Sequence, residues 1–118
     1  MLLALLLAAT LPDFTGYVVD RAGLLDASAV AHVTSVASQL DHAGIAQIAV
    51  CTVPEADLGD SSYQEFANVL FQKWGLGHGT KRDDGLLVLF VPGAPGHRKF
   101  FIEVGYGLEG ILPDGKVG

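Results

Sequence analysis

Cysteine occurs once in these 118 residues, so no disulfide can close within the chain. No Cys/His spacing fits a zinc site either. The single thiol, Cys51, lies in an apolar run and reads as a small core residue. Basic residues are sparse. Seven Lys and Arg face thirteen Asp and Glu, for a net charge of −6, and only Lys81-Arg82 and Arg98-Lys99 are adjacent. Without a basic stripe to meet phosphates, the composition argues against a nucleic-acid partner. Enzyme signatures are missing too: the chain has no G-x-x-x-x-G-K-[ST], C-x5-R, G-x-S-x-G, H-E-x-x-H or EF-hand loop.

Half of the residues are hydrophobic, which allows one domain with a core of its own. The acidic balance fits either plain solubility or cation binding. Met1–Ala9 reads MLLALLLAA, the apolar centre of a secretory leader ending in small residues. It lacks a basic region, so the natural start is expected further upstream, and it is too short to span a bilayer as a helix. Residues 1–10 are therefore expected to be a signal-peptide remnant and 11–118 the domain, with export to the periplasm or cell envelope.

Periodicity predicts the elements in order. Tyr17–Val19 is a short β-like run ending at Asp20. Asp26 is an N-cap, with Leu25 and Val30 at staple positions; Val30, Val33, Val36, Ala37 and Leu40 follow at helical spacing towards a stop at Gly44. Ile45–Val53 is β-branched and apolar, a central strand expected to be buried on both faces. Ser62 and Glu65 form a capping box before Phe66, Leu70, Phe71 and Trp74, which line one face of a second helix. Leu86–Val91 and Arg98–Val104 are two further strands, and a third helix is expected after Pro113. Strands alternating with helices, then two strands in succession, predict an α/β fold, a three-layer α/β/α sandwich with a mixed β-sheet.

Gly105, Gly107 and Gly110 match G-x-G-x-x-G, but a dinucleotide turn follows the first strand of a βαβ unit, and this one follows the last. Glu109 would also set a negative charge against the pyrophosphate, so no nucleotide is expected. The acidic residues collect at strand ends and turns: Asp20, Asp83, Asp84, Glu109 and Asp114. Carboxylates brought together repel unless a cation or a proton neutralises them. Ca²⁺ accepts such an irregular oxygen set more readily than Mg²⁺, which is not excluded. Asp83 and Asp84 precede their strand, so they share an edge with Asp20 only if that strand runs antiparallel to its neighbour or the loop folds back. His78, in a glycine loop, is either a general acid or an exposed loop histidine. Ser62 is explained by its cap, and Trp74 reads as a core anchor.

Five motifs in order resemble the TPM domain of exported bacterial and thylakoid-lumen proteins. They are Gly16–Leu25 (GYVVDRAGLL), Tyr63–Asn68 (YQEFAN), Trp74–Gly77 (WGLG), Asp83–Leu87 (DDGLL) and Glu103–Gly110 (EVGYGLEG). The resemblance implies an α/β/α sandwich, export, and in many members a membrane anchor beyond the domain, with a C-terminal helix that would make this stretch a truncated one. It also implies divalent-cation binding, weak acid phosphatase activity, or an accessory role beside membrane proteins. Carried over by position, Asp20, Asp84 and Glu109 are the expected ligand core for Ca²⁺, assisted by Asp83. The expected function is a cation-binding accessory module with a possible membrane-protein partner; the alternatives are a weak metal-assisted phosphatase and a scaffold with no metal site.

Overall fold

A computed structural model describes residues 8–79, 84–93 and 99–104. Four strands, β1 (Val18–Asp20), β2 (Gln47–Thr52), β3 (Gly85–Val91) and β4 (Lys99–Val104), form one sheet in the order 1-2-3-4. β1, β2 and β3 run parallel, with Val19 beside Cys51 and Cys51 beside Leu89. β4 returns antiparallel to β3, with Val104 beside Leu86 and Lys99 beside Val91. The sheet is mixed, as expected from two crossovers followed by a direct strand-to-strand return.

The two helices, α1 (Ala27–His42) and α2 (Tyr63–Trp74), connect the parallel strands. Asp26 caps α1 by accepting the Ala29 N–H at 2.7 Å. Ser62 and Glu65 cap α2 reciprocally, each side chain taking the other's backbone N–H. Gly75 ends α2 in the left-handed region at φ 58°, where a side chain would be strained.

Alternation along the strands separates two faces. Ala49 and Cys51 of β2, Leu87, Leu89 and Val91 of β3 and Val19 of β1 form one cluster with Phe66, Ala67, Leu70 and Trp74 of α2. Each large side chain sealed there contributes about 1.5–3 kcal/mol. α1 lies over β1 and β2 on the opposite face, where Ile48 lines a shared cleft with Val33, Val36 and Ala37. β2 is central but not buried equally on both sides: Ile48 and Val50 on the α1 face are only half-buried, and Ile45, ahead of the strand, is 61% exposed. Burial on both faces needs a full helix layer on each, and among the described residues α1 packs on the β1–β2 half of this face. The expected helix after Pro113 lies outside the described residues.

A strap precedes β1. Ala9 and Leu11 pack on the core, the Thr10 N–H donates to the Asp57 carbonyl at 2.8 Å, and Lys73 Nζ donates to the Leu11 carbonyl at 2.9 Å. Residues 9 and 10, expected within the leader, thus take part in the domain. Residues 1–7 of the expected leader lie outside the described residues. Among those, no helix is long and apolar enough to cross a membrane.

Candidate functional site

Three parallel strands give the sheet a carboxyl edge and an amino edge, and each edge carries a carboxylate from the sequence motifs. Asp20 ends β1 on the carboxyl edge. Asp84 immediately precedes β3 on the amino edge, because β3 runs parallel to β2. Asp20 and Asp84 are therefore at opposite ends of the sheet and do not meet in one ligand core. The antiparallel neighbour that would have joined them is β4, not β2. Asp83 and Glu109 lie outside the described residues, as does Asp114.

Asp20 holds its own loop. Its Oδ1 accepts from the Leu24 N–H at 3.0 Å and from the Thr52 hydroxyl at 2.5 Å, and its Oδ2 accepts from the Leu25 N–H at 2.9 Å. The Thr52 Oγ1 in turn accepts the Ala22 N–H at 3.1 Å. Burial acts to raise the Asp20 pKa, but the Thr52 hydroxyl and the loop N–H groups outweigh it and hold it below the usual value. The carboxylate is thereby committed to the turn that leads into α1. Beside it, Arg21 Nε donates to Asp57 Oδ2 at 2.7 Å.

The amino edge is built differently. α2 ends at Gly75, and the loop after it returns towards β3 past Leu76, which is buried. Gly85 is required here: a Cβ on it would fall 2.7 Å from the Leu76 carbonyl carbon and 2.8 Å from its oxygen. This approach brings His78 against Asp84. The His78 N–H donates to Asp84 Oδ1 at 2.6 Å, and His78 Nδ1 meets Asp84 Oδ2 at 2.5 Å. On the other side of the ring, Nε2 meets Oδ1 of Asp41, in the last turn of α1, also at 2.5 Å. Asp41 Oδ2 accepts the Tyr17 hydroxyl at 2.5 Å.

Both ring nitrogens face carboxylates, and only the doubly protonated imidazolium offers a proton to each. The Asp84 carboxylate, then that of Asp41, accordingly raises the His78 pKa. In return Asp41 is lowered, first by the Tyr17 hydroxyl and then by His78. At Asp84, burial pushes upward, but the His78 ring and N–H prevail and lower it. Tyr17 is raised, chiefly by its bond to Asp41. The imidazole is 33% exposed at its side chain, so the cluster opens to solvent.

A divalent cation suits this edge in the chemistry of its donors: hard carboxylate oxygens around a position already held by a positive charge, that of His78. In number the donors are incomplete, since no group of three or more His, Cys, Asp and Glu among the described residues is arranged to hold a metal. Asp41 and Asp84 stand on opposite sides of the ring, so His78 must swing out before both can meet one ion. The remaining thiol, Cys51, is pushed up to about 12 by burial and is unreactive.

Asp41, Tyr17 and Thr52 were not expected in any site. Asp41 sits one residue before His42 in the last turn of α1 and reads, from sequence, as a solvated helix end. No local spacing links it to His78, which lies 37 positions away.

A model of the TPM domain matches residues 18–118. The solution NMR structure of the N-terminal domain of a protein from P. gingivalis superposes with a TM-score of 0.71 at 34% identity, covering 90% of this chain and 67% of that one. No curated protein matches.

Proposed function

Because the chain belongs to the TPM-domain family, we propose that it is an exported accessory module of the cell envelope that holds a divalent cation, Ca²⁺ before Mg²⁺, at the amino edge of its sheet. One observation carries the reading: Asp41 and Asp84 converge on a single imidazole from opposite sides, so this edge already selects a positive charge. Topology adds to it. β4 ends beside Leu86, two residues after Asp84, so the strand that leads to Glu109 is directed to the same edge. In the proposed set Asp84 and Asp41 supply described oxygens, Asp83 and Glu109 follow from the family motifs, and Asp20 is removed. A bound cation would neutralise carboxylates that otherwise repel, and it would tie the end of α1 to the start of β3. Export rests on the MLLALLLAA leader, and a membrane-protein partner on the family resemblance.

The test is a calcium titration followed by amide NMR shifts. Saturable shifts at Asp41, Gly77–His78 and Asp84–Gly85 are expected. Asp84→Asn and Asp41→Asn should abolish them, and Asp20→Asn should leave the affinity unchanged. Shifts that are absent, or that survive Asp84→Asn, defeat the reading. Hydrolysis of p-nitrophenyl phosphate, assayed on the same variants, addresses the phosphatase alternative: activity lost in a folded Asp84→Asn would favour it.

A further inference from the structure

Phe14 joins the strap to the amino edge. Its ring stacks on Trp74 with centroids 5.1 Å apart, and it meets Tyr17 edge-on at 6.4 Å and 77°. Both neighbours lead to His78. The Tyr17 hydroxyl donates to Asp41 Oδ2, and Asp41 Oδ1 meets His78 Nε2. Trp74 is the last residue of α2, ahead of the loop that carries His78. Gln47 pins that loop, its Oε1 accepting the Gly77 N–H at 2.7 Å. Back along the strap, the Trp74 indole N–H donates to the Pro12 carbonyl at 2.8 Å, Lys73 Nζ lies 3.3 Å from Asp13 Oδ1, and the Thr10 N–H reaches the Asp57 carbonyl. Asp57 follows β2, on the carboxyl edge, and Asp84 precedes β3, on the amino edge. A continuous run of contacts therefore links the two edges by way of the strap.

We infer that the strap is a conformational switch for the amino edge: seating of residues 9–14 and closure of the Asp41–His78–Asp84 clasp are one coupled transition, with Phe14 as the joint. No cation takes part in it. The two states differ in what holds Tyr17. With the strap seated, the Phe14 ring fixes the Tyr17 ring, and the hydroxyl stays on Asp41. With the strap lifted, Phe14 leaves both rings, and the bond from Tyr17 to Asp41 must be kept against the regained freedom of the side chain. Phe14 is 37% exposed and the strap lies outside the sheet, so the segment can lift without opening β2 and β3. Coupling of this kind is reciprocal. Whatever closes the clasp also seats the strap, and whatever draws the strap away frees His78.

Two amides report the ends of the transition: the Thr10 N–H, bonded to Asp57, and the His78 N–H, bonded to Asp84 Oδ1. Hydrogen exchange of the whole chain, followed by NMR, reads both against the Ala49 and Cys51 amides of β2. Phe14→Ala should speed exchange at Thr10 and His78 together, about fivefold, with Ala49 and Cys51 unchanged. Asp84→Ala should speed Thr10 about as much, although Asp84 and the Thr10–Asp57 bond lie at opposite edges of the sheet. A strap that is merely a fastening would respond at Thr10 alone in the first variant and not at all in the second, and either result overturns the inference. Where a variant loosens every amide alike, Tyr17→Phe decides, because it keeps the ring and removes only the hydroxyl on Asp41. Faster exchange at Thr10 in Tyr17→Phe supports the coupling, and an unchanged Thr10 overturns it.

Discussion

At the scale of single residues, Asp20 and Asp84, the two expected cation ligands within the described residues, have separate duties. Asp20 satisfies two loop N–H groups and one hydroxyl, so it stabilises the turn into α1. Asp20→Ala should cost about 1–2 kcal/mol in urea unfolding through the donors it strands, and it should leave any calcium response intact. Asp84 instead shares His78 with Asp41, and the pH dependence follows from the direction of each shift. His78 has its pKa raised on folding, so its contribution is fully present below the ordinary imidazole value of about 6.5 and is lost as pH rises through the higher folded value. Asp41 and Asp84 have theirs lowered, so their contribution is present above about 3.9 and is lost as pH falls through the lower folded values. The clasp should therefore be strongest between roughly pH 4 and 6.5. Thermal melts should show stability falling above that window in the wild type, and His78→Gln should flatten that decline. An alkaline limb of equal slope in the variant would contradict the assignment.

At the scale of elements, the meeting of the α2–β3 loop with the start of β3 is the most constrained junction. Gly85 has backbone atoms of Leu76 where its Cβ would be, and backbone cannot swing aside as a side chain can. Gly85→Ala should destabilise the fold by about 1–3 kcal/mol, measurable by denaturant titration, and should displace His78 from Asp84 in the NMR spectrum. Legibility in the sequence divides along the same line. Local rules are written in adjacent residues, so the Asp26 cap, the Ser62–Glu65 capping box, the apolar stripe of α2 and the run Leu86–Val91 were all readable. The partners of Asp20 and Asp84 were not, because their grouping depends on strand direction. A parallel β3 moves Asp84 the full length of the sheet from Asp20, and apolar runs do not encode direction. Asp41 and Gln47 were invisible for a related reason: each lies at an element end whose local pattern is ordinary, and only the tertiary crossing with the 75–79 loop gives it a role.

At the scale of the whole molecule, the fold is an α/β sandwich in which, among the described residues, α2 packs on one face of the sheet and α1 covers β1 and β2 on the other. Family membership accounts for the ordered motifs, and the structure supplies a physical reason for several of them: the glycine of DDG for close approach, the aspartate of VVD for a turn, the tryptophan of WGLG for the strap. That last feature has an optical consequence. Trp74 is the sole tryptophan of the chain. Its indole N–H donates to the Pro12 carbonyl at 2.8 Å, and its ring stacks on Phe14 with centroids 5.1 Å apart. Its fluorescence is thus a built-in gauge of whether residues 9–14 are seated. Pro12→Gly with Phe14→Ala should shift the emission to longer wavelength with α2 still helical by circular dichroism. The same colour change, followed during refolding, would time the docking of residues 9–14 without any added label.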